Sequence, residues 1–244
     1  MVDFAAESQR TSDLRRQQTV TGITANLRRI RDRIRECEAR SGREPGSVTL
    51  LAVSKGQPVE KLAAARREGV AEFGESYLRE ALEKMRREPD CQWHFIGPIQ
   101  SNKTRGIAEN FHWAHSVERG KIARRLNDQR PAGLPPLNVC AQVNLSGEAG
   151  KSGVALADVE ALCREIAALP RLRLRGLMAI PAKLEQAGAQ RGVFRPLAGE
   201  FHRLRRIFPQ LDTLSMGMSH DFESAIAEGA TMVRLGTLVF GPRM

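Results

Sequence analysis

The sequence predicts an α/β protein whose eight parallel strands close into a single-domain (β/α)8 TIM barrel. Three observations support this fold class. Short apolar, β-branched runs alternate with amphipathic helical stretches, which is the pattern of βαβ units. The length of 244 residues suits one such barrel. No GxGxxG motif follows the first predicted strand, so the alternative of an open, doubly wound sheet has less support.

The first predicted helix lies before the first strand. Residues 1–18 are polar and lack periodicity, so we expect a flexible N-terminal arm followed by one domain over residues 19–244. From Thr21 to Cys37 apolar residues recur at helical spacing. Since no helix is predicted after the eighth strand, we expect this N-terminal helix to cover the seam between strands eight and one.

The remaining elements alternate strictly. Strands are predicted at residues 48–54, 70–73, 92–96, 113–116, 137–143, 172–178, 211–215 and 232–235. Helices are predicted between them at residues 59–68, 76–87, 102–110, 119–129, 156–168, 193–208 and 221–228. Right-handed crossovers allow eight such units to close into a barrel.

Composition disfavours several classes of protein. The formal net charge is +10, but the arginines recur on helical stretches with a solvated polar face, and aromatic residues make up only 5%, too few for a base-stacking platform. The four cysteines form no CxxC pair and are predicted as reduced core residues. His112 and His115 lack companions at metal-ligand spacing, so no metal site is expected. No run approaches the ~20 apolar residues of a membrane span, which predicts a cytoplasmic protein.

Lys55 ends the first predicted strand. The apolar run that begins at Val48 stops at Ser54 and Lys55, and Gly56 breaks the strand. The carboxyl ends of parallel strands are where α/β folds bind ligands. Taken alone, a lysine at this position is more often a solvated residue that ends a strand.

Glycine-containing loops follow the last two predicted strands. Gly217 and Gly236 permit close approach of backbone to a ligand, hydroxyl groups flank them, and Arg234 adds a cation. Barrels commonly bind phosphate in these two loops. The competing interpretation is that Ser219 caps a helix and Gly217 makes a turn. A phosphate site opposite an amine suggests pyridoxal phosphate (PLP) or a phosphosugar aldolase.

Seven motifs resemble the PLP homeostasis proteins of the YggS/PROSC family. In chain order they are AVSKGQP, FGESY, WHFIGPIQSNK, KSGV, RLRGLMAIPA, LSMGMSHD and VRLGTLVFG. The resemblance implies the fold of the alanine racemase N-terminal domain and an internal aldimine of PLP on Lys55. It also implies an intracellular role in PLP homeostasis, as carrier or reservoir, without established catalysis.

The resemblance also implies a set of cofactor-binding positions. It assigns the phosphate to Ser215, Gly217, Met218, Ser219, Arg234, Gly236 and Thr237. Ser76 stands where the family usually has asparagine, so its contact with the ring hydroxyl is expected to be weaker or water-mediated. Met178 is expected to pack at the barrel end against the cofactor. Lys151 and Asn102 are secondary candidates, with a solvated loop lysine and a helix cap as the alternatives.

No second acid–base group accompanies Lys55 in the sequence. Racemisation requires one, and the tyrosine that provides it in alanine racemases comes from an additional domain. The single tyrosine here, Tyr77, is expected to be partly buried on a helix. We therefore predict a PLP-binding protein with no catalytic residue, a weak PLP-dependent amino-acid racemase being the first alternative and a nucleic-acid binder the second. PLP-dependent enzymes are the expected recipients, and we expect a monomer with no specific nucleic acid and no membrane as partner.

Overall fold

The computed structural model describes residues 4–146, 152–182 and 184–242, and the side chains from residue 21 onward. Within these residues the chain forms nine parallel strands. They are β1 (Thr49–Val53), β2 (Glu72–Glu75), β3 (Gln92–Phe95), β4 (Trp113–Val117), β5 (Leu137–Asn144), β6 (Val154–Ala155), β7 (Leu172–Ala179), β8 (Thr213–Met218) and β9 (Met232–Leu235).

The strands close into a barrel. They pair in the order β4-β3-β2-β1-β9-β8-β7-β5, and β4 also pairs with β5. The two-residue strand β6 lies outside this circle, beside β5. Strands β1 and β9 pair in register from Thr49 opposite Met232 to Ala52 opposite Leu235. The predicted (β/α)8 barrel is therefore confirmed.

Helices surround the barrel. They are α1 (Phe4–Arg40), α2 (Val59–Arg67), α3 (Leu78–Arg87), α4 (Thr104–Asn110), α5 (Gly120–Gln129), α6 (Val159–Ala167), α7 (Ala187–Arg205), α8 (Phe222–Ala227) and α9 (Thr237–Phe240). Helix α1 packs against α2, α8 and α9, which flank the junction of β1 and β9. Its residues Ile23, Leu27 and Ile30 are buried, and Asn26 Nδ2 donates to Val239 O at 3.1 Å. The N-terminal helix thus covers the seam, as predicted.

The core has an outer and an inner part. The larger apolar cluster lies between the barrel wall and the helices and includes Leu27, Leu62 and Phe73. The interior of the barrel holds smaller clusters, one of which joins Leu51 and Met232 through neighbouring apolar residues. Cys37, Cys91, Cys140 and Cys163 are all buried and free, as the sequence predicts. Within the described residues, no helix combines the length and the apolar character that crossing a bilayer requires.

Several boundaries differ from the sequence-based expectations. Helix α1 begins at Phe4 rather than at Thr21, because a helix continues on backbone hydrogen bonds where no apolar period marks it. The flexibility of residues 1–18, and the domain boundary drawn after them, stay predictions. Strand β8 runs on to Met218, since a register shift between Ser215 and Met218 accommodates Gly217 and keeps β8 paired with β9.

Candidate functional site

The carboxyl ends of β1, β8 and β9 lie side by side. Strand β9 pairs with β1 on one side and with β8 on the other, and Ala52 lies opposite Leu235. The next residue, Gly236, comes so close to β1 that a Cβ atom there would lie 3.2 Å from Val53 O. The end of β1, which leads into Lys55, therefore lies beside Gly236 and the start of α9 at Thr237.

Lys55 is half-buried and begins a tight turn. Gln57 N donates to Ser54 O at 3.0 Å across this turn, and Gly56 adopts the left-handed conformation with φ of 67°, which favours glycine. The turn leads directly into α2, which begins at Val59. The lysine is thus carried by a short turn between a buried strand and a helix.

A group of polar and charged residues, which we call the outer cluster, holds the Lys55 turn from outside the barrel. It consists of Ser54, Glu75, Glu80 and Lys84. Lys84 Nζ, which is buried, donates to Ser54 O at 2.7 Å, to Glu75 Oε1 at 2.7 Å and to Glu80 Oε1 at 2.6 Å. Glu80 Oε1 also accepts from Gly56 N at 2.7 Å. One buried ammonium group therefore ties α3 to both ends of the turn.

Glu75 is the most enclosed member of the outer cluster. It is completely buried, and Oε1 accepts from Ser54 Oγ at 2.6 Å, whereas Oε2 has no hydrogen-bond partner among the described residues. Burial raises the pKa of Glu75, and the nearby Lys84 opposes this shift. The carboxyl group is thus held by its neighbours at a cost in solvation.

Arg234 projects from β9 into the barrel. Its Nη1 donates to Ser215 O at 2.7 Å and to Ser215 Oγ at 2.8 Å, and its Nη2 donates to Ala179 O at 2.9 Å. Only 4% of the residue is exposed. Burial lowers the pKa of Arg234 to about 10, so the guanidinium stays charged at neutral pH. The cation is fixed in position by three hydrogen bonds to β8 and β7.

Two histidines extend these contacts across the interior of the barrel. His115 Nδ1 lies 3.0 Å from Ser215 Oγ, and His115 Nε2 lies 3.0 Å from His94 Nδ1. His94 Nε2 then lies 3.3 Å from Glu72 Oε2, a close polar contact rather than an aligned hydrogen bond, since neither atom has a hydrogen-bond partner among the described residues. We call Glu72, His94, His115, Ser215 and Arg234 the inner network. Because β4 and β8 are not neighbours in the sheet, it passes through the barrel itself.

The end of β8 and the loop that follows it adopt a compact conformation. Gly217 has a φ of 92°, and a Cβ atom there would lie 2.6 Å from Ala225 Cβ, so only glycine fits without rearrangement. Met218 N donates to Asp221 Oδ1 at 2.6 Å. Met218 and Ser219 are half-buried, whereas Thr237 at the start of α9 is exposed. Hydroxyl groups and glycine backbone at the ends of β8 and β9 thus lie on the side of the barrel where Lys55 lies.

Other predicted site residues lie in different surroundings. Ser215 is completely buried, with its hydroxyl engaged by Arg234 and His115. Met178 is also completely buried and packs with Trp113 and Cys140 inside the barrel. The roles of Ser215 and Met178 at a cofactor stay predictions.

The residues that follow β2 and β3 lie nearer the surface. Ser76 is half-buried where the chain leaves β2, and a Cβ atom on Gly97 would lie 2.5 Å from Ser76 O. Asn102 is exposed, and the residue at the N-cap position, directly before α4, is Lys103 instead. Tyr77 is 64% exposed, so its expected partial burial was wrong. Lys151 lies outside the described residues.

The inner network and the outer cluster contain functional candidates that the sequence interpretation missed. The sequence interpretation considered His115 only as a metal ligand and did not consider His94. The described residues contain no group of three or more His, Cys, Asp or Glu side chains placed to hold a metal ion. One signal was available in the sequence. His115 stands two residues after Trp113 in a predicted strand, and all residues of this strand are buried in the structure. A buried histidine needs hydrogen-bond partners, which predicts a polar contact inside the barrel.

The fold and the site define a single-domain barrel of the alanine racemase N-terminal-domain class. The family model "Alanine racemase, N-terminal domain" matches residues 25–244. The alanine racemase of Clostridium difficile 630 in complex with cycloserine superposes with a TM-score of 0.73 at 14% identity, covering 91% of this chain and 60% of that one. At that identity the likeness concerns the fold alone.

Closer relatives identify the family within this class. A pyridoxal phosphate homeostasis protein of Pseudomonas aeruginosa is 55% identical over 227 residues, covering 91% of this chain and 96% of that protein. The protein of the same name from Escherichia coli K12 is 51% identical over 226 residues, covering 91% and 97%. The structure of PipY from Synechococcus elongatus PCC7942 with PLP bound gives a TM-score of 0.77 at 35% identity, covering 90% of this chain and 100% of that one. The chain belongs to the family of pyridoxal phosphate homeostasis proteins.

Proposed function

We propose that the protein binds PLP at the mouth of the barrel and acts as a carrier or reservoir of the cofactor. The observation that supports this most directly is the adjacency of Lys55 to the glycine loops of β8 and β9, with the buried Arg234 behind them. When bound, PLP supplies an aldehyde that condenses with an amine. Lys55 provides that amine.

The residues at the mouth fit this cofactor. Gly217 and Gly236 leave backbone uncovered where a side chain would collide with Ala225 or come into tight contact with Val53, and the hydroxyls of Ser219 and Thr237 lie close to these glycines in the chain. Hydroxyls and backbone amides beside glycine are suitable donors to a phosphate group. We assign the phosphate to these two loops.

Arg234 provides a fixed positive charge inside the barrel. Since three of its hydrogen bonds go to oxygens of Ser215 and Ala179, the guanidinium does not need to reorganise when an anionic cofactor arrives. Arg234 therefore contributes to affinity for the anionic cofactor.

A role without catalysis follows from what surrounds Lys55. Racemisation needs a second acid–base group that can reach the substrate, and Tyr77 projects into solvent. The relatives compared above are named homeostasis proteins rather than enzymes. The four free, buried cysteines fit a reducing compartment, and we place the protein in the cytoplasm, with PLP-dependent enzymes as recipients.

Borohydride reduction of the PLP-loaded protein followed by peptide mass analysis tests this proposal. We expect a phosphopyridoxyl group on the peptide that contains Lys55, its loss in Lys55→Ala, and its retention in Lys103→Ala, which removes an exposed lysine after β3. A label on another lysine in the wild-type protein would contradict the assignment. In a parallel assay, conversion of L-alanine to D-alanine that depends on Lys55 would favour the racemase alternative.

A further inference from the structure

The inner network joins a cation to a carboxylate through three neutral groups. Arg234 lies at one end, and Glu72, on the amino-terminal side of β2, lies at the other. Ser215, His115 and His94 lie between them, with consecutive donor and acceptor atoms 2.8, 3.0 and 3.0 Å apart. The five residues come from five different strands of the barrel.

The chemistry of the two ends determines the direction of the hydrogen bonds. A guanidinium only donates, so Ser215 Oγ accepts from Arg234 Nη1, and its single proton is available to His115 Nδ1. His115 then carries its proton on Nε2 and donates to His94 Nδ1. His94 in turn carries its proton on Nε2, where it faces the Glu72 carboxylate. Ser215 and His115 are therefore each used once as donor and once as acceptor, between Arg234, which only donates, and His94, which accepts.

The reverse direction is unfavourable at both ends. It would point the Nε2 lone pair of His94 at the Glu72 carboxylate, 3.3 Å away. It would also make Ser215 Oγ accept from both Arg234 and His115, which leaves its own proton without a described acceptor. An unsatisfied buried polar group costs about 1–3 kcal/mol. Both costs therefore oppose the reverse direction, in which His94 and His115 carry their protons on Nδ1.

The surroundings keep both imidazoles neutral. His94 and His115 are fully buried, and burial lowers the pKa of each. The charge of Arg234 lowers the pKa of His115 further, and Arg175 of β7 acts in the same direction on His94, whereas Glu72 raises the pKa of His94. The Cys140 thiol, with a pKa raised to about 12 by burial, adds no charge. The Trp113 ring stacks on His94 with centroids 5.2 Å apart.

We propose that His94 and His115 are positioning residues that exist as the Nε2-protonated tautomers and hold the guanidinium of Arg234 in one orientation. Through Ser215 they extend the support of Arg234 from the mouth of the barrel to Glu72 at its opposite end. The consequence for PLP rests on the proposed function, whereas the tautomers and the order of Arg234 do not.

NMR of the protein without added cofactor tests the arrangement directly. Long-range ¹H–¹⁵N spectra near pH 7 should show His94 and His115 both protonated on Nε2. The Nη protons of Arg234 should give separate, slowly exchanging signals, as expected for an immobilised guanidinium. An Nδ1-protonated tautomer at either histidine would overturn the proposal.

Variants of His115 separate positioning from packing. His115→Gln keeps an acceptor and a donor, so resolved Arg234 signals and a PLP affinity within about threefold of the wild type are expected. His115→Phe keeps the ring volume but removes both hydrogen bonds, and should average the Arg234 signals and weaken PLP binding by about tenfold or more. His112→Phe, at a histidine that only accepts from Trp93 N, is the matched control. Unchanged Arg234 signals in His115→Phe would overturn the proposal, whereas wild-type protein that never takes up PLP would overturn the proposed function alone.

Discussion

The inner network and the outer cluster are both buried, yet they support the site by different means. The outer cluster is ionic, with the ammonium of Lys84 against the carboxylates of Glu75 and Glu80. The inner network separates its two charges, Arg234 and Glu72, by neutral groups. Opposite charges in direct contact compensate each other's desolvation, whereas neutral groups fix direction through donor and acceptor chemistry.

This difference matches what each group holds in place. The outer cluster fixes a backbone turn, because Lys84 and Glu80 bind Ser54 O and Gly56 N on either side of Lys55. The inner network fixes a side chain, the guanidinium of Arg234. The two ends of the proposed cofactor site are therefore supported from opposite faces of the barrel wall, and changes to one support should affect stability and pH dependence differently from changes to the other.

The largest effect is expected from breaking the outer cluster. Lys84→Met leaves the Glu75 carboxyl group buried without its cation, which should lower the free energy of unfolding by about 3 kcal/mol. Arg86→Met, on an exposed position of the same helix, should change it by less than about 0.5 kcal/mol. Urea unfolding followed by circular dichroism measures both.

A second substitution determines whether charge is the cause. In the double variant Lys84→Met with Glu75→Gln, most of the lost stability should return, because no uncompensated carboxylate remains. If the double variant is as unstable as Lys84→Met alone, packing of the lysine stem explains the loss and the ionic interpretation of the cluster is wrong.

An intermediate effect on the free energy of unfolding is expected when the pH is lowered. An imidazole whose pKa is lower in the folded chain than in the unfolded chain takes up a proton first in the unfolded chain. Its contribution to stability is therefore complete above the pKa in the unfolded chain, about 6.5, and is lost as the pH falls below that value. His94 and His115 both have lowered pKa values. Lowering the pH from about 7.5 to about 5.5 should therefore cost on the order of 1 kcal/mol per histidine, measured by urea unfolding at each pH.

The same titration distinguishes the two networks. The pKa of Glu75 is raised, so its contribution to stability is lost as the pH rises, and Glu75 does not cause a loss on acidification. The double variant His94→Gln with His115→Gln should show a flatter pH dependence, and His202→Gln, at an exposed position of α7, should match the wild type. An equally steep loss without the two histidines would assign the acid sensitivity to other groups.

The smallest effect is expected on PLP binding from a substitution at Ser76, which lies outside both the inner network and the outer cluster. Ser76 directly follows Glu75, and its side chain is only half-buried, so a longer side chain can be accommodated. Ser76→Asn restores the amide that the resemblance implies at this position, and one added hydrogen bond should strengthen PLP binding by roughly twofold to tenfold. Fluorescence titration with PLP measures the change. Ser76→Ala serves as the control, and asparagine that binds no better than alanine would exclude a contact from this position.

Much of the fold could be predicted from the sequence because its strands are short apolar runs between glycine and proline signals. The last strand was predicted at residues 232–235, where β9 lies. The end of β8 was missed because Gly217 was interpreted as part of a loop after the strand, whereas its bulge keeps Met218 paired with Arg234. Helix α9 was missed because its four residues are too few to show a helical period.

Site residues could be predicted only where their position along a strand is enough to place them at the mouth of the barrel. Lys55 and Arg234 could be proposed because strand ends form the mouth of a barrel. The inner network depends on which residues face each other across a closed barrel, as His115 faces Ser215, and sequence alone does not give that pairing. Lys84 was missed because a lysine on an amphipathic helix is usually solvated, and only the fold brings it against Glu75.

The seam under α1 has a consequence for how the protein is made. The strands that meet there, β1 and β9, are the first and last of the barrel in chain order. Bringing two such distant strands together has a high cost in chain entropy, which must be met before their contacts become stabilising. While the ribosome is still translating the segments between them, β1 has an unpaired edge and α1 lacks the surface formed by α8 and α9. An exposed strand edge promotes association with other chains. We therefore expect the nascent chain to depend on chaperones until β9 has emerged, and the finished barrel to lose that dependence.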